Sequence, residues 1–328
     1  MSLKIIDLAI ATGSNKLTNA DFKKDFGEEG QHFINDVLGK DIRYVCNEHE
    51  NTLTLAAKAV DELQRKTNFK GEDIDGIIFS SQFPEYTLPA QSIFIHHHIQ
   101  GKSNCFTLDI NANCVGMLRG LDVANRYFNS KDNNYRKILL IGADKMQSHA
   151  QEDDISIYPN FADAASAVLL ERVTIDSESY IIGSSEAVFS ESSTAMIYPA
   201  GGYSSLDENS KREDSRVYAS QPNMKEALRL FEQTTNDILL KHELVHTDID
   251  WYCGSQFSKT MFSKVADLLH IEENKRVFVG NKYGYTGTSS PFLAMHDGIR
   301  DGRIKRGDIV LLTTIGVGDS VTSLVLKY

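Results

Sequence analysis

The fold of this chain is decided by Asp109-Ile-Asn-Ala-Asn-Cys-Val-Gly-Met-Leu-Arg-Gly-Leu121, which has the pattern of a short buried strand, a turn and the start of a helix. The helical spacing of apolar residues continues to Phe128, and the turn carries Cys114. Because the N-terminus of a helix favours a thiolate over a thiol, this position predicts a covalent nucleophile. A buried cysteine before a helix is also a common small core residue, and the stretch alone leaves both interpretations open.

The composition is typical of a soluble enzyme. With 328 residues, 41% of them hydrophobic, the chain can build one large core or two fused domains. No apolar run approaches the roughly 18 residues of a membrane span, and the first residues lack the layout of a secretory signal. We therefore expect a cytoplasmic protein without a membrane span. The net charge of −11 argues against nucleic acid as a partner, since phosphate binding needs clustered Lys and Arg.

Nothing in the sequence predicts a metal or a nucleotide cofactor. The four cysteines have neither CxxC pairing nor metal-ligand spacing, which indicates reduced thiols. The consecutive histidines His96, His97 and His98 would point in different directions on a helix, so no metal site is expected there. A phosphate-binding P-loop and a dinucleotide GxGxxG motif are both lacking.

The second half of the chain repeats the first. Asp73-Ile-Asp and Asp248-Ile-Asp each lead into an apolar strand that ends in Ser-Gln. Further along, Ala162–Glu171 matches Gly318–Lys327 in character, position for position. The offset is 175 residues for the first match and 156 for the last, which implies a longer first-half insertion between residues 142 and 162. Matches in the same order predict an internal duplication.

The duplication predicts an α/β fold of two pseudo-symmetric halves, residues 1–172 and 173–328. Nearly continuous apolar strands such as Ile138–Ile141 and Val310–Leu312 need helices on both faces of their sheet. Two such halves would share a buried helix layer, which gives an αβαβα order of layers. We expect the active site between the halves, with Cys114 supplied by the first half and its partners by the second.

The ordered motifs resemble the thiolase superfamily, most closely the β-ketoacyl-ACP synthase III family. They are the cysteine motif around Cys114, Phe161-Ala-Asp-Ala-Ala-Ser-Ala-Val-Leu-Leu170, Lys282-Tyr-Gly-Tyr-Thr-Gly-Thr-Ser-Ser290 and Gly316-Val317-Gly318. The resemblance covers nearly the whole chain. It implies a thiolase-like fold and an acyltransferase in which Cys114 takes an acyl group from CoA or an acyl carrier protein as a thioester, with no other cofactor.

The resemblance also assigns residues around the nucleophile. The oxyanion would be held by the backbone N–H groups of Cys114 and Val317, and a backbone donor works with any side chain. Gly316 and Gly318 flank Val317 and are predicted to line the substrate site.

The resemblance implies that two loops, one with Gly201 and Gly202 and one with Leu88, shape the substrate site and the dimer. Gly201 and Gly202 are predicted to lie in a loop on the second-half wall of the pocket. Leu88, before Pro89, corresponds to the residue that reaches into the acyl pocket of a neighbouring subunit, which implies a functional dimer. From the residues alone, a loop that covers only its own core is an equal alternative.

Two positions depart from the family pattern. A histidine and an asparagine of the second half normally donate hydrogen bonds to the thioester carbonyl that becomes an enolate. Ser255 stands at the histidine position and Tyr285 at the asparagine position. Serine donates one weaker bond and is no base near neutral pH, and tyrosine can donate but is bulkier. Because each lost donor costs about 10²–10³ in rate, malonyl condensation is expected to be impaired.

These departures leave three functions open. The first is an acyltransferase that passes the acyl group from Cys114 to an amine, a hydroxyl or an activated carbon. The second is a non-catalytic or half-catalytic subunit of a synthase III-like heterodimer rather than a homodimer. The third is a true 3-oxoacyl-ACP synthase III with a diverged site. The positions of the family's CoA-adenine clamp fall near Asn35 and Gly39, so the donor is a thioester of CoA or a carrier protein, with a carrier-bound or unusual donor more plausible than CoA.

Overall fold

The computed structural model describes residues 1–131, 134–174, 177–220 and 223–328, which form a mixed α/β structure. Its strands are β1 Ser2–Thr12, β2 Asn15–Thr18, β3 Ile42–Val45, β4 Gly76–Ser80, β5 Phe106–Ile110, β6 Lys137–Asp144, β7 Ala164–Val173, β8 Tyr180–Val188, β9 Met196–Ile197, β10 Tyr218–Ala219, β11 Trp251–Gly254, β12 Ile309–Gly316 and β13 Ser320–Lys327. Its α-helices are α1 Lys23–His32, α2 Thr52–Thr67, α3 Gln91–His98, α4 Gly116–Phe128, α5 Met224–Lys241, α6 Lys259–Leu268, α7 Gly280–Tyr283 and α8 Ser290–Arg300.

Two large sheets share one strand order over four strands, and β5 extends the first sheet by one strand. The first runs β1-β7-β6-β4-β5 and the second runs β8-β13-β12-β11. In the first sheet β4 and β6 are parallel, β6 and β7 antiparallel, and β7 and β1 antiparallel. The second sheet has the same pattern: β11 and β12 are parallel, β12 and β13 antiparallel, and β13 and β8 antiparallel. The topology therefore repeats, as the sequence matches indicate. The exact division at 172/173 stays a prediction.

The helices form three layers around these sheets. Between the sheets, Leu121 of α4 and Phe292 of α8 belong to one buried cluster with Leu140 of β6 and Leu324 of β13. A second cluster packs α2 and α3 on the outer face of the first sheet. A third packs α5 and α6 on the outer face of the second sheet. The predicted αβαβα arrangement is confirmed.

Burial of both sheet faces explains the continuous apolar strands. All five residues of β4 are buried. Ile77 and Phe79 face the outer helix layer, whereas Ile78 faces the central one, because successive side chains of a strand point to opposite faces. An apolar residue is therefore needed at each of these positions.

The ends of four strands meet at one place between the halves. The chain leaves β4 at Ser80 and β5 at Ile110, and in the second sheet it leaves β11 at Gly254 and β12 at Gly316. The carboxyl ends of parallel strands are the usual location of ligand sites in α/β proteins. In the described part of the chain, no helix is long and apolar enough to cross a membrane.

Candidate active site

Cys114 lies in the predicted strand–turn–helix setting. A 3₁₀ turn, Asn113–Val115, joins the end of β5 to α4, and Asn113 adopts a left-handed backbone conformation with φ of 52°. Asparagine tolerates this conformation better than most residues, which suits it to the sharp turn. The amide of Met117, in the first turn of α4, donates to Thr288 Oγ1 at 2.8 Å. The second half of the chain thus holds the helix end that carries the nucleophile.

Gly116 lets α4 approach β4 closely. A Cβ atom at this position would lie 2.1 Å from Ser80 Oγ and 3.3 Å from Thr288 Oγ1. We expect Gly116→Ala to lower the free energy of unfolding by about 1–3 kcal/mol, because a short side chain cannot move aside without a backbone shift. Gly120→Ala is the matched control, since its Cβ would meet the far end of the Leu140 side chain. Urea unfolding of both variants measures the difference, and equal midpoints would contradict it.

An apolar cluster surrounds the nucleophile. Cys114 is 5% exposed and packs in a group of buried residues that comes from several loops: Phe83, Met146, Ala150, Ile157, Phe161, Val217 and Tyr285. His149 stacks on Phe83 with a ring separation of 4.9 Å and faces the Tyr198 hydroxyl at 3.0 Å. Burial lowers the pKa of His149 to about 4, so this histidine is neutral at physiological pH. The cluster offers an apolar environment for an acyl chain.

The ionisation expected from the helix dipole is wrong for the resting protein. Burial raises the pKa of the Cys114 thiol to about 11, and the neighbouring Asp144 carboxyl also raises it. Hydrogen bonding with Tyr285 and Gln82 lowers this pKa by less than burial raises it. Desolvation outweighs the favourable position at the helix end, so Cys114 is a neutral thiol near pH 7.

Gln82 contacts this thiol and Asp144 contacts Gln82, and the sequence patterns assign no role to either residue. Cys114 Sγ donates to Gln82 Oε1 at 3.7 Å, and Gln82 Nε2 lies 3.4 Å from Asp144 Oδ2. Asp144 is fully buried and also accepts from Ser81 Oγ at 2.9 Å and from the amides of Gln82 and Phe83. Burial raises the pKa of Asp144 to about 6 despite these hydrogen bonds.

Tyr285 and Ser255 are brought to the nucleophile as predicted. The Tyr285 phenol lies beside both Cys114 and Ser255, and burial raises its pKa well above the usual value. The Ser255 hydroxyl is buried and makes no hydrogen bond of normal geometry with the described residues. The Tyr285 backbone pairs with first-half residues, because its amide donates to the Asn160 carbonyl at 2.8 Å and its carbonyl accepts from Ala162 at 2.9 Å. Tyr285 is therefore a neutral hydrogen-bond donor held in place from both halves.

The glycine-rich loop lies against the cysteine turn. A Cβ at Gly316 would lie 3.4 Å from the Ala112 carbonyl oxygen and 3.5 Å from Asn113 Cβ. Gly318 has φ of 80° in the turn between β12 and β13. The loop that carries Val317 thus adjoins the nucleophile, and the role of the Val317 amide in the oxyanion hole stays a prediction.

The remaining predicted positions are the half-buried Gly201 and Gly202 and the exposed Leu88. Gly201 packs against Asp214, and the space around Gly202 is open, so their contact with substrate stays a prediction. Leu88 is 86% exposed. Tyr86 and Ile93 are exposed nearby, and β5 is an edge strand of the first sheet.

Known proteins share this fold over its whole length. The profile for 3-oxoacyl-[acyl-carrier-protein (ACP)] synthase III matches residues 108–188, and the profile for its C-terminal part matches residues 239–328. The β-ketoacyl-[acyl-carrier-protein] synthases III of Rickettsia rickettsii (strain Sheila Smith) and Rickettsia canadensis (strain McKiel) are 30% and 29% identical over 331 residues, with all of both chains covered. The crystal structure of 3-oxoacyl-[acyl-carrier-protein] synthase III from Aquifex aeolicus VF5 superposes with a TM-score of 0.88 at 25% identity, covering 99% of this chain and 100% of that one. The chain therefore belongs to the 3-oxoacyl-ACP synthase III family and is an acyltransferase of the type used in fatty acid synthesis.

Proposed function

We propose that this chain forms an acyl thioester on Cys114 and passes the acyl group to an amine, a hydroxyl or an activated carbon, with slow malonyl condensation. The observation that carries the proposal is the pair Ser255 and Tyr285 beside an intact nucleophile. The pKa of Tyr285 is held well above its usual value, so the phenol donates a hydrogen bond but takes no proton near pH 7. Such a site suits acyl transfer better than the stabilisation of an enolate.

In the first step, the Cys114 sulfur attacks the thioester carbonyl of the donor. The oxyanion forms between the backbone amides of Cys114 and Val317, which need no reorganisation as charge develops. When the bond to the donor sulfur breaks, the departing thiolate takes the proton that Cys114 gave up. No cofactor is needed, because both half-reactions exchange one acyl group between nucleophiles.

The donor is a thioester of CoA or of an acyl carrier protein. The family's CoA-adenine clamp positions fall near Asn35 and Gly39, and these residues supply neither an aromatic face nor a positive charge. Asn35 accepts a hydrogen bond from Asn19, and Gly39 ends the π-helical segment Phe33–Leu38 with φ of 67°. These residues favour a carrier-bound donor over free CoA.

Mass spectrometry of the intact protein tests the proposal. Incubation with octanoyl-CoA or an octanoyl carrier protein should add one acyl mass to Cys114. Addition of hexylamine or hexanol should then remove that mass and yield the amide or ester, whereas malonyl-CoA should remove it slowly. Rapid formation of the 3-oxoacyl product from malonyl-CoA would contradict the proposed preference.

We also propose a dimer built on the first half. The unpaired edge of β5 and the exposed side chains of Tyr86, Leu88 and Ile93 support this, because long edges and apolar patches are normally covered. An obligate dimer buries more than about 2,000 Å² in total. A heterodimer with a related chain is the alternative partner for the same surface. A stable monomer in sedimentation at low micromolar concentration, with Cys114 still acylated, would contradict both.

Leu88→Trp should shorten the acyl chain that the enzyme accepts. If Leu88 reaches the acyl pocket of the neighbouring subunit, a larger side chain fills space that the end of a long acyl chain needs. The ratio of octanoyl to acetyl transfer onto Cys114 measures the effect, and we expect it to fall about tenfold, as for the loss of one or two buried methylene groups. Leu240→Trp is the control, because Leu240 is 84% exposed on α5, on the second half. An equal effect of both variants would count against the shared pocket.

A further inference from the structure

The side chain of Gln82 has one fixed orientation at the nucleophile. Its Nε2 faces the Asp144 carboxylate at 3.4 Å, and its Oε1 faces Cys114 Sγ at 3.7 Å. An ionised carboxylate only accepts hydrogen bonds, so it holds the amide nitrogen on its own side and directs the amide oxygen to the sulfur. Asp144 is itself fixed by Ser81 and by the amides of residues 82 and 83. A pure hydrogen-bond acceptor is thus held beside the reacting atom.

We propose that Gln82 Oε1 selects the acyl acceptor by binding its N–H or O–H hydrogen, so that the second substrate is an amine or an alcohol rather than a malonyl-derived carbon. This inference rests on the proposed function, since it concerns the acceptor that attacks the acyl group on Cys114. Gln82 touches the reacting sulfur and is in this sense catalytic. Asp144 acts through Gln82 and is a positioning residue.

Acylation changes what Gln82 can bind. In the free enzyme, Gln82 Oε1 accepts its hydrogen bond from the Cys114 thiol, the donor to it among the described residues. The acyl thioester has no S–H hydrogen, so Oε1 loses that donor, and an acceptor group left unpaired near the protein interior costs free energy. An amine or alcohol that approaches the acyl carbon restores the hydrogen bond. The carbon of an enolate carries no hydrogen that could do so.

The chemistry of the second step balances without a further base. The acceptor nitrogen or oxygen forms a bond to the acyl carbon, and the bond between that carbon and Cys114 Sγ breaks. The sulfur keeps the electron pair and takes the proton that the acceptor loses. Cys114 is then a thiol again, and its hydrogen again bonds Gln82 Oε1. The same oxygen contacts this proton before and after its transfer.

Asp144 makes this orientation depend on pH. Burial raises the pKa of Asp144 to about 6. Cys114 and Tyr285 are titratable side chains that interact with it among the described residues, and both are neutral near that pH because their own pKa values lie far higher. Once protonated, Asp144 can donate to Oε1, and the Gln82 amide is free to turn its nitrogen to the sulfur. Transfer should therefore fall as the pH drops through about 6.

The test uses enzyme acylated beforehand with octanoyl-CoA and follows the loss of the acyl mass from Cys114 in a single turnover. Gln82→Met keeps the volume of the side chain but removes the acceptor. We expect discharge to hexylamine and hexanol to fall about tenfold or more, as for the loss of one hydrogen bond in the transition state, while the slow discharge to malonyl-CoA is unchanged.

Asp144→Asn should abolish the decline of hexanol transfer near pH 6. Hexanol does not titrate, so the profile reports on the protein.

Gln233→Met is the matched control, because Gln233 is exposed on α5 and should leave every rate unchanged. Formation of the acyl adduct itself shows that each variant is folded. If the Gln82→Met enzyme passes its acyl group to hexylamine and hexanol at wild-type rates, the inference is overturned and the proposed function stays intact. An equal loss of transfer to hexylamine and to malonyl-CoA would also overturn it, since Gln82 would then not discriminate. Absence of any adduct on wild-type Cys114 would overturn the proposed function and, with it, this inference.

Discussion

Cys114→Ala should abolish acyl-adduct formation and lower acyl transfer by at least about 10³-fold, since covalent catalysis has no substitute once the nucleophile is lost. The other thiols cannot replace it. Among the described residues, the apolar cluster that surrounds Cys114 includes none of the other three cysteines, Cys46, Cys105 and Cys253. Burial also holds the pKa values of Cys46 and Cys253 above that of Cys114. Peptide mapping after incubation with octanoyl-CoA measures the site of the adduct.

Cys253→Ala provides the control, because Cys253 is buried in β11 and its loss should leave acylation unchanged. An adduct that persists in Cys114→Ala protein would refute the assignment of the nucleophile. Adducts on two thiols in the wild type would refute its selectivity.

The double variant Ser255→His, Tyr285→Asn should raise malonyl decarboxylation and condensation at least about 10²-fold, since each restored donor stabilises the developing enolate and is worth roughly that factor. The backbone at position 285 should stay in place, because it pairs with Asn160 and Ala162 through main-chain groups alone. Loss of the buried ring leaves a cavity that costs about 3–5 kcal/mol of stability, so the unfolding midpoint must be measured beside the rate.

Tyr285→Phe separates the two effects of that tyrosine. It keeps the ring contacts with Phe161 and Phe257 and removes the hydroxyl. We expect no gain in condensation and a loss of acyl transfer, because a donor disappears and none is added. Condensation by the wild type at about 1–10³ s⁻¹, the ordinary range for enzymes, would show that another group has taken over the role of the missing pair.

Much of the architecture follows from local pattern in the sequence. Apolar residues at helical spacing predict amphipathic helices around 53–66 and 224–240, and the structure contains them as Thr52–Thr67 and Met224–Lys241. The turn at Cys114 is equally local, since a strand, a polar turn and a glycine-containing helix follow one another without a gap. The order of layers follows from the duplication. Such features need only neighbours along the chain.

The hydrogen-bond network of the site depends on contacts between distant segments. The repeat places a Ser-Gln pair after β4 and after β11, which was the one available signal for Gln82. The two glutamines behave differently. The Gln256 side chain binds backbone groups of Gly254, Val279 and Gly280, whereas Gln82 faces Cys114. Asp144 of β6 supplies the partner of the Gln82 amide, and a sequence pattern does not contain that contact.

The thiolate expected at Cys114 from its helix-end position is wrong for a related reason. A helix end is visible in the sequence, but the burial of the sulfur by Phe83, Met146 and Tyr285 results from three distant segments. Desolvation by such contacts can shift a pKa by several units, whereas the helix dipole contributes about 0.3–1 kcal/mol at an exposed site. The larger effect is the one that sequence spacing does not reveal.

A nucleophile that rests as a buried neutral thiol should also withstand oxidants. Peroxides attack the thiolate, and a thiol with a pKa of about 11 is ionised to roughly one part in 10⁴ at pH 7. We expect the enzyme to survive oxidative stress that converts exposed, acidic cysteines to sulfenic and sulfinic acids. The same property limits drugs that rely on a reactive warhead alone. An effective covalent inhibitor would first have to occupy the acyl site as a substrate does.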